Sequence, residues 1–150
     1  WDFDGQDIFR RAVGGMAKAS QKVLAEANLT VDDMGLVVPL QANLRIIEAV
    51  GKKLGAPEQK LFANIERYGN VSAATALVEA VEEGYVKPGA NILVPAFGAG
   101  LTWSSHLISW GERVKPLGTN DVDLPPCDKS GLELVQSYLA QQRPHQGITD

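Results

Sequence analysis

The sequence predicts an α/β fold in which a mixed, mostly parallel sheet is flanked by helices and the last strand runs antiparallel. Short apolar runs rich in β-branched residues, at 35–39 and 91–97, are typical of strands buried on both faces of a sheet. They alternate with segments whose apolar residues recur at helical spacing. Repeats of strand, helix and strand favour right-handed crossovers, which make neighbouring strands parallel.

The composition is that of one globular domain. The 150 residues are 45% hydrophobic and 21% charged, which suffices for an independent core. The net charge of -4 and the pI near 5.2 argue against the basic surface that nucleic-acid binding requires. No apolar run approaches the ~20 residues that cross a bilayer, and no signal peptide is recognisable, so no membrane partner is expected.

Cysteine usage indicates a reducing compartment. Cys127 is the single cysteine, which excludes an internal disulfide and makes a cytoplasmic location the expectation. The chain starts at Trp1 rather than at methionine, which favours a fragment, a processed chain or a domain of a longer protein.

The first predicted element is a helix over residues 5–27. Its central glycines, Gly14 and Gly15, weaken a helix or let another backbone approach closely. The apolar stripe at helical spacing consists of Ile8, Phe9, Ala12, Val13, Met16, Val23, Leu24 and Ala27.

A strand, a polar corner and a second helix are predicted next. Residues 35–39 form the strand, Asn43 is placed to cap the helix, and Gly55 is placed to end it. The predicted inner face of this helix consists of Leu44, Ile47, Val50 and Leu54.

A second strand and a third helix are predicted between residues 60 and 82. Residues 60–65 are the strand candidate, Ser72 is the candidate cap, and residues 87–89 form a turn. The predicted buried face of the helix consists of Ala73, Ala76, Leu77, Ala80 and Val81.

Two further strands and a tail complete the chain. Residues 91–97 and 101–110 are the strands, and because residues 98–100 alone join them, we expect an antiparallel hairpin. From residue 111 the chain is rich in Pro, Gly and Asp, which is typical of a linker. A short amphipathic helix is predicted in the tail from Leu132, Val135 and Leu139.

Three polar corners follow the carboxyl ends of three predicted strands, where ligands of open α/β sheets gather. They are residues 39–43, 66–70 and 97–100. Each corner also has a purely structural interpretation: Asn43 as a helix cap, Asn70 as part of a turn, and the glycines as a hairpin. On pattern alone, a shared site and three unrelated corners are equally open.

The sequence gives little support for a nucleotide, metal or cofactor site. The glycines of the last corner lead into a strand rather than a helix, so they do not form a nucleotide-binding loop. His106 and His145 do not cluster and Cys127 stands alone, so neither a metal nor a bound cofactor is expected. Arg45 is compatible with a solvated helix residue or with a cation at the mouth of a site for an anionic partner.

Taken together, the three corners resemble the C-terminal half of β-ketoacyl-acyl-carrier-protein synthase III, a family of thiolase-like condensing enzymes. The resemblance extends over roughly residues 3–110. Its segments are VVPLQANLRIIEAVGKKLG (37–55), FANIERYGNVSAA (62–74) and VPAFGAGLTWSSHLISW (94–110).

The resemblance sets the expected domains and architecture. Residues 1–110 are expected to be the C-terminal domain of this type, and residues 111–150 a linker and a short helical tail without a recognised family counterpart. The implied architecture is a thiolase-like half-fold, one of two similar halves in a five-layer arrangement.

The resemblance also implies a chemistry. In the family, a cysteine on the first half takes an acyl group from coenzyme A as a thioester. A histidine followed by Gln-Ala-Asn, and an asparagine in Gly-Asn-Thr-Ser, then support decarboxylation of malonyl carrier protein and condensation. This is covalent catalysis by an activated thiolate, with donors at the developing enolate oxygen. The pantetheine arm of acyl-CoA or of acyl carrier protein is then part of the substrate, and no cofactor is implied.

Position by position, Asn70 matches the catalytic asparagine, with Val71 where threonine is usual. Gln41 and Asn43 match the Gln-Ala-Asn motif, whose asparagine lies near the pantetheine arm, and are the implied substrate-binding residues. Arg45 resembles the arginine that faces the carrier protein. The glycine loop that lines the pocket is matched by Gly98 and Gly100.

Leu40 falls where the catalytic histidine belongs. Leucine neither donates a hydrogen bond nor titrates, so decarboxylation by the usual route is expected to be lost. A positioned acid or base typically contributes ~10²–10⁴ in rate. The nucleophile is expected on the other half, because Cys127 lies outside the resemblance.

Two interpretations stay open. In the first, the chain is part of an acyltransferase that uses acyl-CoA and acyl carrier protein, either with a separate N-terminal half or as a subunit of a heteromeric synthase. In the second, it is a non-catalytic partner that docks an acyl carrier protein or a catalytic synthase. A homo- or heterodimer is expected in both.

Overall fold

The computed structural model describes residues 4–115, 117–118, 122 and 126–141. The chain divides into two compact units, residues 1–117 and residues 118–150. The second unit contains α5 (Gly131–Gln141). The elements of the first unit are α1 (Gly5–Glu26), β1 (Met34–Val37), α2 (Leu44–Leu54), α3 (Ile65–Tyr68), α4 (Ala74–Glu82), β2 (Asn91–Gly98) and β3 (Thr102–Ser109).

A mixed three-stranded sheet in the order β1-β2-β3 is the centre of the first unit. β1 runs parallel to β2, with Val37 opposite Leu93. β2 and β3 are antiparallel, and their pairing starts at the turn with Gly98 opposite Thr102. The predicted mixed sheet and antiparallel last strand are therefore confirmed.

The prediction of a strand at residues 60–65 is wrong. Only Leu61 forms a bridge, parallel to Val37, and the Phe62 N–H donates to the Val37 carbonyl at 2.9 Å. A short 3-10 turn ends at Lys60 and α3 begins at Ile65, so only residues 61–64 lie between them and no longer ladder forms. The N–H of Asn64 donates to a side chain instead of to a neighbouring strand.

Helices cover both faces of the sheet. On one face, α1 and α2 pack over Met34, Val37 and Leu93, and on the other, α4 packs over Leu36 and Val38. Successive residues of β1 thus enter different core clusters, as expected for a strand buried on both faces. A register shift between Met34 and Leu36 places Met34 on the same side as Val37.

The predicted first helix is confirmed and runs without interruption through both glycines. Asp4 caps it, because its carboxylate accepts from the N–H groups of Gln6 and Asp7, both at 3.0 Å. Ala27 does not belong to the buried stripe: it is the exposed residue that follows the last helical position, Glu26.

Gly15 allows α1 to lie against the hairpin. A Cβ at this position would come within 2.6 Å of the Trp103 ring on β3. The close approach that the glycine pair predicted is therefore made by a side chain. Gly14 has open space around its Cα, so it has no corresponding packing role.

The signals for the second helix are confirmed. The Asn43 Oδ1 accepts from the Arg45 N–H at 2.9 Å, and Gly55 ends the helix with φ +74°. That backbone conformation strains residues with a Cβ and suits glycine. Ile47 and Val50 are fully buried on the inner face.

The cap predicted for α4 is wrong. Ala73 occupies the N-cap position and makes no capping bond, while Ser72 has φ +64°. The Ser72 N–H donates to Asn70 Oδ1 at 3.4 Å, and the Ser72 carbonyl accepts from the Gln41 N–H at 3.2 Å. Long-range and turn contacts therefore hold Ser72 away from the geometry of a cap.

The apolar face of α4 is confirmed, as is the turn that follows the helix. Ala76 and Ala80 are fully buried in the core cluster on this face. In the turn, the Ala90 N–H donates to the Lys87 carbonyl at 3.1 Å. The partly buried members of the face are Ala73, Leu77 and Val81.

Residues just beyond β3 complete the first unit. The indole N–H of Trp110 donates to the Arg113 carbonyl at 2.9 Å. Trp110 and Val114 also pack against the core cluster beneath α4. The first seven residues of the predicted linker thus lie in the first compact unit.

The second unit contains the helix predicted in the tail. Ser130 caps α5, because its Oγ accepts from the Glu133 N–H at 3.3 Å. In return, Glu133 Oε2 accepts from the Ser130 N–H and hydroxyl at 2.7 and 2.6 Å. These bonds lower the pKa of Glu133 below its ordinary value. Leu132, Val135 and Leu139 are exposed. Among the described residues of both units, no helix is both long enough and apolar enough to span a bilayer.

The two neighbouring glycines of α1 provide a matched test of this packing. Gly15→Ala is expected to destabilise the protein by about 1–3 kcal/mol, the usual cost of overpacking, because the added methyl meets Trp103. Gly14→Ala is expected to stabilise it by about 0.5–1 kcal/mol, since alanine favours a helix and space is available. Urea unfolding measures both. Equal midpoints for the two variants would contradict the assigned contact.

Candidate functional site

The first corner is anchored on β2. Beyond the end of β1, the Val38 N–H donates to the Leu93 carbonyl at 2.8 Å, and the Leu40 N–H donates to the Pro95 carbonyl at 2.9 Å. The parallel pairing therefore continues past the strand and places Leu40 beside the carboxyl end of β2. Leu40 is half-buried.

Gln41 holds the first corner to the second. Its side chain is fully buried, and its Nε2 donates to the carbonyls of Pro39 (2.8 Å) and Phe62 (3.4 Å). Its Oε1 accepts from the Asn64 N–H at 2.9 Å. All of these partners are backbone groups, so the structure gives Gln41 a positioning role; contact with substrate stays a prediction.

The second corner carries Asn70 on an exposed turn. Gly69 precedes it with φ +70°, and Asn70 itself is exposed. The Asn70 Oδ1 accepts from the Ser72 N–H at 3.4 Å, which leaves the Nδ2 as the donor that a substrate oxygen requires.

Two ion pairs of Arg67 join this second corner to α4 and to the residue after it. Arg67 of α3 lies 2.8 Å from Glu79 on α4 and 2.8 Å from Glu83, the residue directly after α4. The hydrogen bond to Glu83 raises the pKa of Arg67, and the same bond lowers the pKa of Glu83. Glu79 is buried, so Arg67 also neutralises a carboxylate that is shielded from water.

Asn64 is a buried polar residue that pattern analysis did not identify. Its side chain is almost fully buried, and neither amide atom has a partner among the described residues. Its backbone N–H nevertheless binds Gln41, at the point where α3 and the second corner begin. The sequence offered no signal for it, because Asn64 lay inside a predicted strand.

The third corner is the turn between β2 and β3. Gly98 pairs with Thr102, and the Thr102 hydroxyl donates to the Ala99 carbonyl at 3.1 Å. Gly100 has φ +133°, in a region that side chains with a Cβ rarely adopt.

The first and third corners line one small cavity of about 270 Å³, through Leu40 and Gly98. No residue of the second corner lines it, but Ser72, which follows that corner, does. Asn70 lies two residues from the lining, and neither Gly100 nor Gln41 lines the cavity. The lining residues are Leu40, Ser72, Ala96, Phe97, Gly98, Thr102, Trp103 and Ser104.

Asn43 and Arg45 line a different, larger cavity. It measures about 650 Å³ and lies between the first turns of α1 and α2, where Asp4 and Phe9 face them. Arg45 is exposed and forms no ion pair with the residues that the structure describes. Four of the sequence-predicted site residues are thus divided between two cavities, whereas Gln41, Asn70 and Gly100 line neither of them.

The remaining candidates lie elsewhere. His106 is exposed in β3 opposite Val94. Cys127 is an exposed free thiol, 3.7 Å from the Lys129 carbonyl, and His145 is outside the described residues. Across the described ranges, no three metal-binding side chains come together.

Comparison with known proteins identifies the family. A family model described as 3-oxoacyl-[acyl-carrier-protein (ACP)] synthase III C terminal matches residues 24–110. The chain is 48% identical over 149 residues to beta-ketoacyl-[acyl-carrier-protein] synthase III 2 of Vibrio cholerae, covering 97% of this chain and 41% of that protein. It is 50% identical over 112 residues to the synthase III of Clostridium tetani, covering 73% and 34%.

Solved structures give the same result. The crystal structure of 3-oxoacyl-[acyl-carrier-protein] synthase III from Aquifex aeolicus matches with a TM-score of 0.69 and 44% identity, over 72% of this chain and 36% of that one. The chain therefore belongs to the 3-oxoacyl-[acyl-carrier-protein] synthase III family and corresponds to its C-terminal half. The predicted thiolase-like fold is confirmed.

The chain spans about two fifths of the length of the curated relatives it matches first. The Vibrio cholerae match covers 97% of the chain, so it extends into residues 111–150. The family model itself ends at residue 110, and the domain boundary expected there stays a prediction.

The Arg67 bridge predicts a local effect on the second corner. Arg67→Gln is expected to speed hydrogen exchange of the amides at 69–73 by up to about fivefold, the ordinary range for a partly exposed ion pair. Lys22→Gln, at an exposed pair with a 3.8 Å separation, is the control and is expected to leave these amides unchanged.

The pH dependence of this effect follows from the lowered pKa of Glu83. A carboxylate with a lowered folded-state pKa stabilises the protein above its unfolded pKa, and this stabilisation is lost as the pH falls through the folded pKa. The difference between Arg67→Gln and the native chain should therefore shrink below about pH 4.5, the ordinary value for glutamate. A difference that stays constant into acid would contradict this role of Glu83.

Proposed function

We propose that this chain forms the acyl-pantetheine side of a condensing-enzyme site that lacks the acid–base group for decarboxylation. The observation that carries the proposal is Leu40, an apolar side chain in the cavity that the first and third corners line. The family resemblance assigns the catalytic histidine to this position. Acyl transfer, which demands less of that histidine, is the activity that remains compatible with the site.

The rest of the site supports thioester chemistry. Asn70 offers an amide donor beside the cavity, and Asn43 lies at the start of α2 where the pantetheine arm is expected. Gly98 lets a ligand approach the end of β2 closely. Donors placed at a developing oxyanion are a large contribution to catalysis of this class.

A second half is proposed to supply the nucleophilic cysteine. α4 is apolar on more than one side, yet Val78 is 58% exposed and nearby Tyr85 is 52% exposed. Monomeric proteins rarely leave contiguous apolar surface uncovered. Since the chain spans about two fifths of its relatives, we assign this face to the first half of a synthase, in a homo- or heterodimeric assembly.

Arg45 supports an acidic carrier protein as partner. Arg45 is exposed, lines the larger cavity together with Asp4, and forms no ion pair with the described residues. A cation in such a place mainly speeds encounter and fixes orientation. Because this feature does not depend on Leu40, it equally favours the second candidate function, a non-catalytic subunit that docks an acyl carrier protein.

The carrier-protein contact is tested by charge reversal. Arg45→Glu is expected to weaken binding of acyl carrier protein about tenfold or more at low salt and to flatten the salt dependence. Lys22→Glu, an exposed cation outside this cavity, is the control for net charge. Unchanged binding by Arg45→Glu at low salt would mean that Arg45 is only a solvated helix residue.

The missing acid–base group is tested by restoring it. With a cysteine-bearing first half present, the native chain is expected to decarboxylate malonyl carrier protein feebly or not at all. Leu40→His should raise that rate by an order of magnitude or more, within the ~10²–10⁴ range of acid–base catalysis. Leu29→His, at a half-buried leucine in another part of the core, is the control.

Two outcomes contradict the enzymatic proposal. Rapid decarboxylation by the native assembly would show that another residue has taken the role. If neither form reacts although both bind acyl-pantetheine, the docking function is favoured instead.

A further inference from the structure

The helix of the second unit, α5, presents an apolar face to solvent. Four of its side chains are apolar and more than half exposed: Leu132 (68%), Val135 (55%), Tyr138 (63%) and Leu139 (59%). At about 100° per residue, they lie within an arc of about 120°, with Val135 at its centre. An apolar stripe of this kind is typical of a helix that buries one face against another surface.

α5 lies outside the part of the chain that the family shares most widely. The family model ends at residue 110, well before this helix begins. The Vibrio cholerae relative matches 97% of the chain, which is enough to include α5, whereas the Clostridium tetani relative matches 73%. The apolar face is therefore an addition to the condensing-enzyme fold and not part of its core.

The charge of α5 indicates what kind of surface can cover this face. The helix contains neither lysine nor arginine, and its single charged residue, Glu133, lies on the side opposite Val135. Cations are what a helix uses to meet an acidic carrier protein or anionic lipid headgroups. The uncharged face of α5 instead complements an identical face, as in the interface of a two-fold symmetric dimer.

The area of the face fits a weak dimer. Four side chains of these types, each a little more than half exposed, present roughly 500 Å² of surface. Two copies that cover each other would bury about 1,000 Å², which is the lower limit for a specific protein–protein interface. Interfaces of this size are typical of weak or transient complexes rather than of obligate ones.

We propose that α5 is a self-association helix, whose apolar face pairs with the same face of a second copy of this chain. The pairing is symmetric, with Val135 at the centre of the contact and Glu133 directed to solvent on both copies. It depends on neither Leu40 nor Arg45, so it goes beyond the proposed acyl-pantetheine site and does not rest on it.

Sedimentation equilibrium on the full 150-residue chain measures this pairing. A monomer–dimer equilibrium at micromolar concentrations is expected. Val135→Glu should raise the dissociation constant about tenfold or more, because a carboxylate without a partner would be buried at the centre of the contact. Val135→Ala, which favours the helix but removes apolar contact, should raise it about threefold or more.

Gln136→Glu is the matched control. It introduces the same charge one residue further along, outside the apolar arc. The dissociation constant is expected to stay within about twofold of the native value, as is usual for a substitution on a solvated surface. Circular dichroism before sedimentation establishes that the helix content is the same in all four chains.

Three results would overturn the inference. The first is a native chain that stays monomeric, or a dimer that Val135→Glu and Gln136→Glu weaken equally. The second is a dimer that persists in Val135→Glu and is lost in Val78→Glu, which would place the contact on α4. The third is a monomeric chain that binds acyl carrier protein, or vesicles of phosphatidylcholine and phosphatidylglycerol, and loses that binding in Val135→Glu.

Discussion

The candidate site depends on the buried amide of Gln41. This one side chain joins the end of β1 to the segment that leads into α3, through two carbonyls and one N–H of the backbone. Removing it would leave these groups unsatisfied in the interior, at a cost of about 1–3 kcal/mol for each. Because the second corner begins two residues after Asn64, whose N–H bonds to Gln41, this interaction helps to place Asn70.

The sheet supplies the other half of the constraint. Parallel pairing of β1 with β2 continues to Leu40 and Pro95, so the first corner and the hairpin turn end at the same edge. The Ser72 carbonyl accepts from the Gln41 N–H, which joins the segment before α4 to the first corner. Backbone hydrogen bonds therefore hold the junction at Leu40 and its neighbour Gln41, although the Leu40 side chain has no acid–base chemistry.

The predicted site residues that line a cavity fall in two separate cavities. The larger cavity, between the first turns of α1 and α2, contains the exposed cation Arg45, whereas the smaller one is uncharged and partly apolar. A long, flexible substrate arm is the kind of ligand that engages both. A carrier protein recognised at the first cavity and an acyl group received at the second are compatible with this arrangement.

Local chemistry in the sequence determined much of this protein. The Asn43 cap, the Gly55 terminus, the buried β1 and the hairpin at Gly98 depend on neighbouring residues, so pattern was sufficient to predict them. The motifs also located Leu40 at a corner of the sheet, whereas Asn70 follows α3 rather than a strand. Tertiary structure alone decided the rest, because long-range hydrogen bonds and packing compete with local preference. The Asn64 N–H bonds to Gln41 and does not extend a strand, and the Ser72 carbonyl bonds to the first corner while Ser72 caps no helix. Asn43 and Arg45 line a cavity with the first turn of α1, apart from the cavity that Leu40 lines.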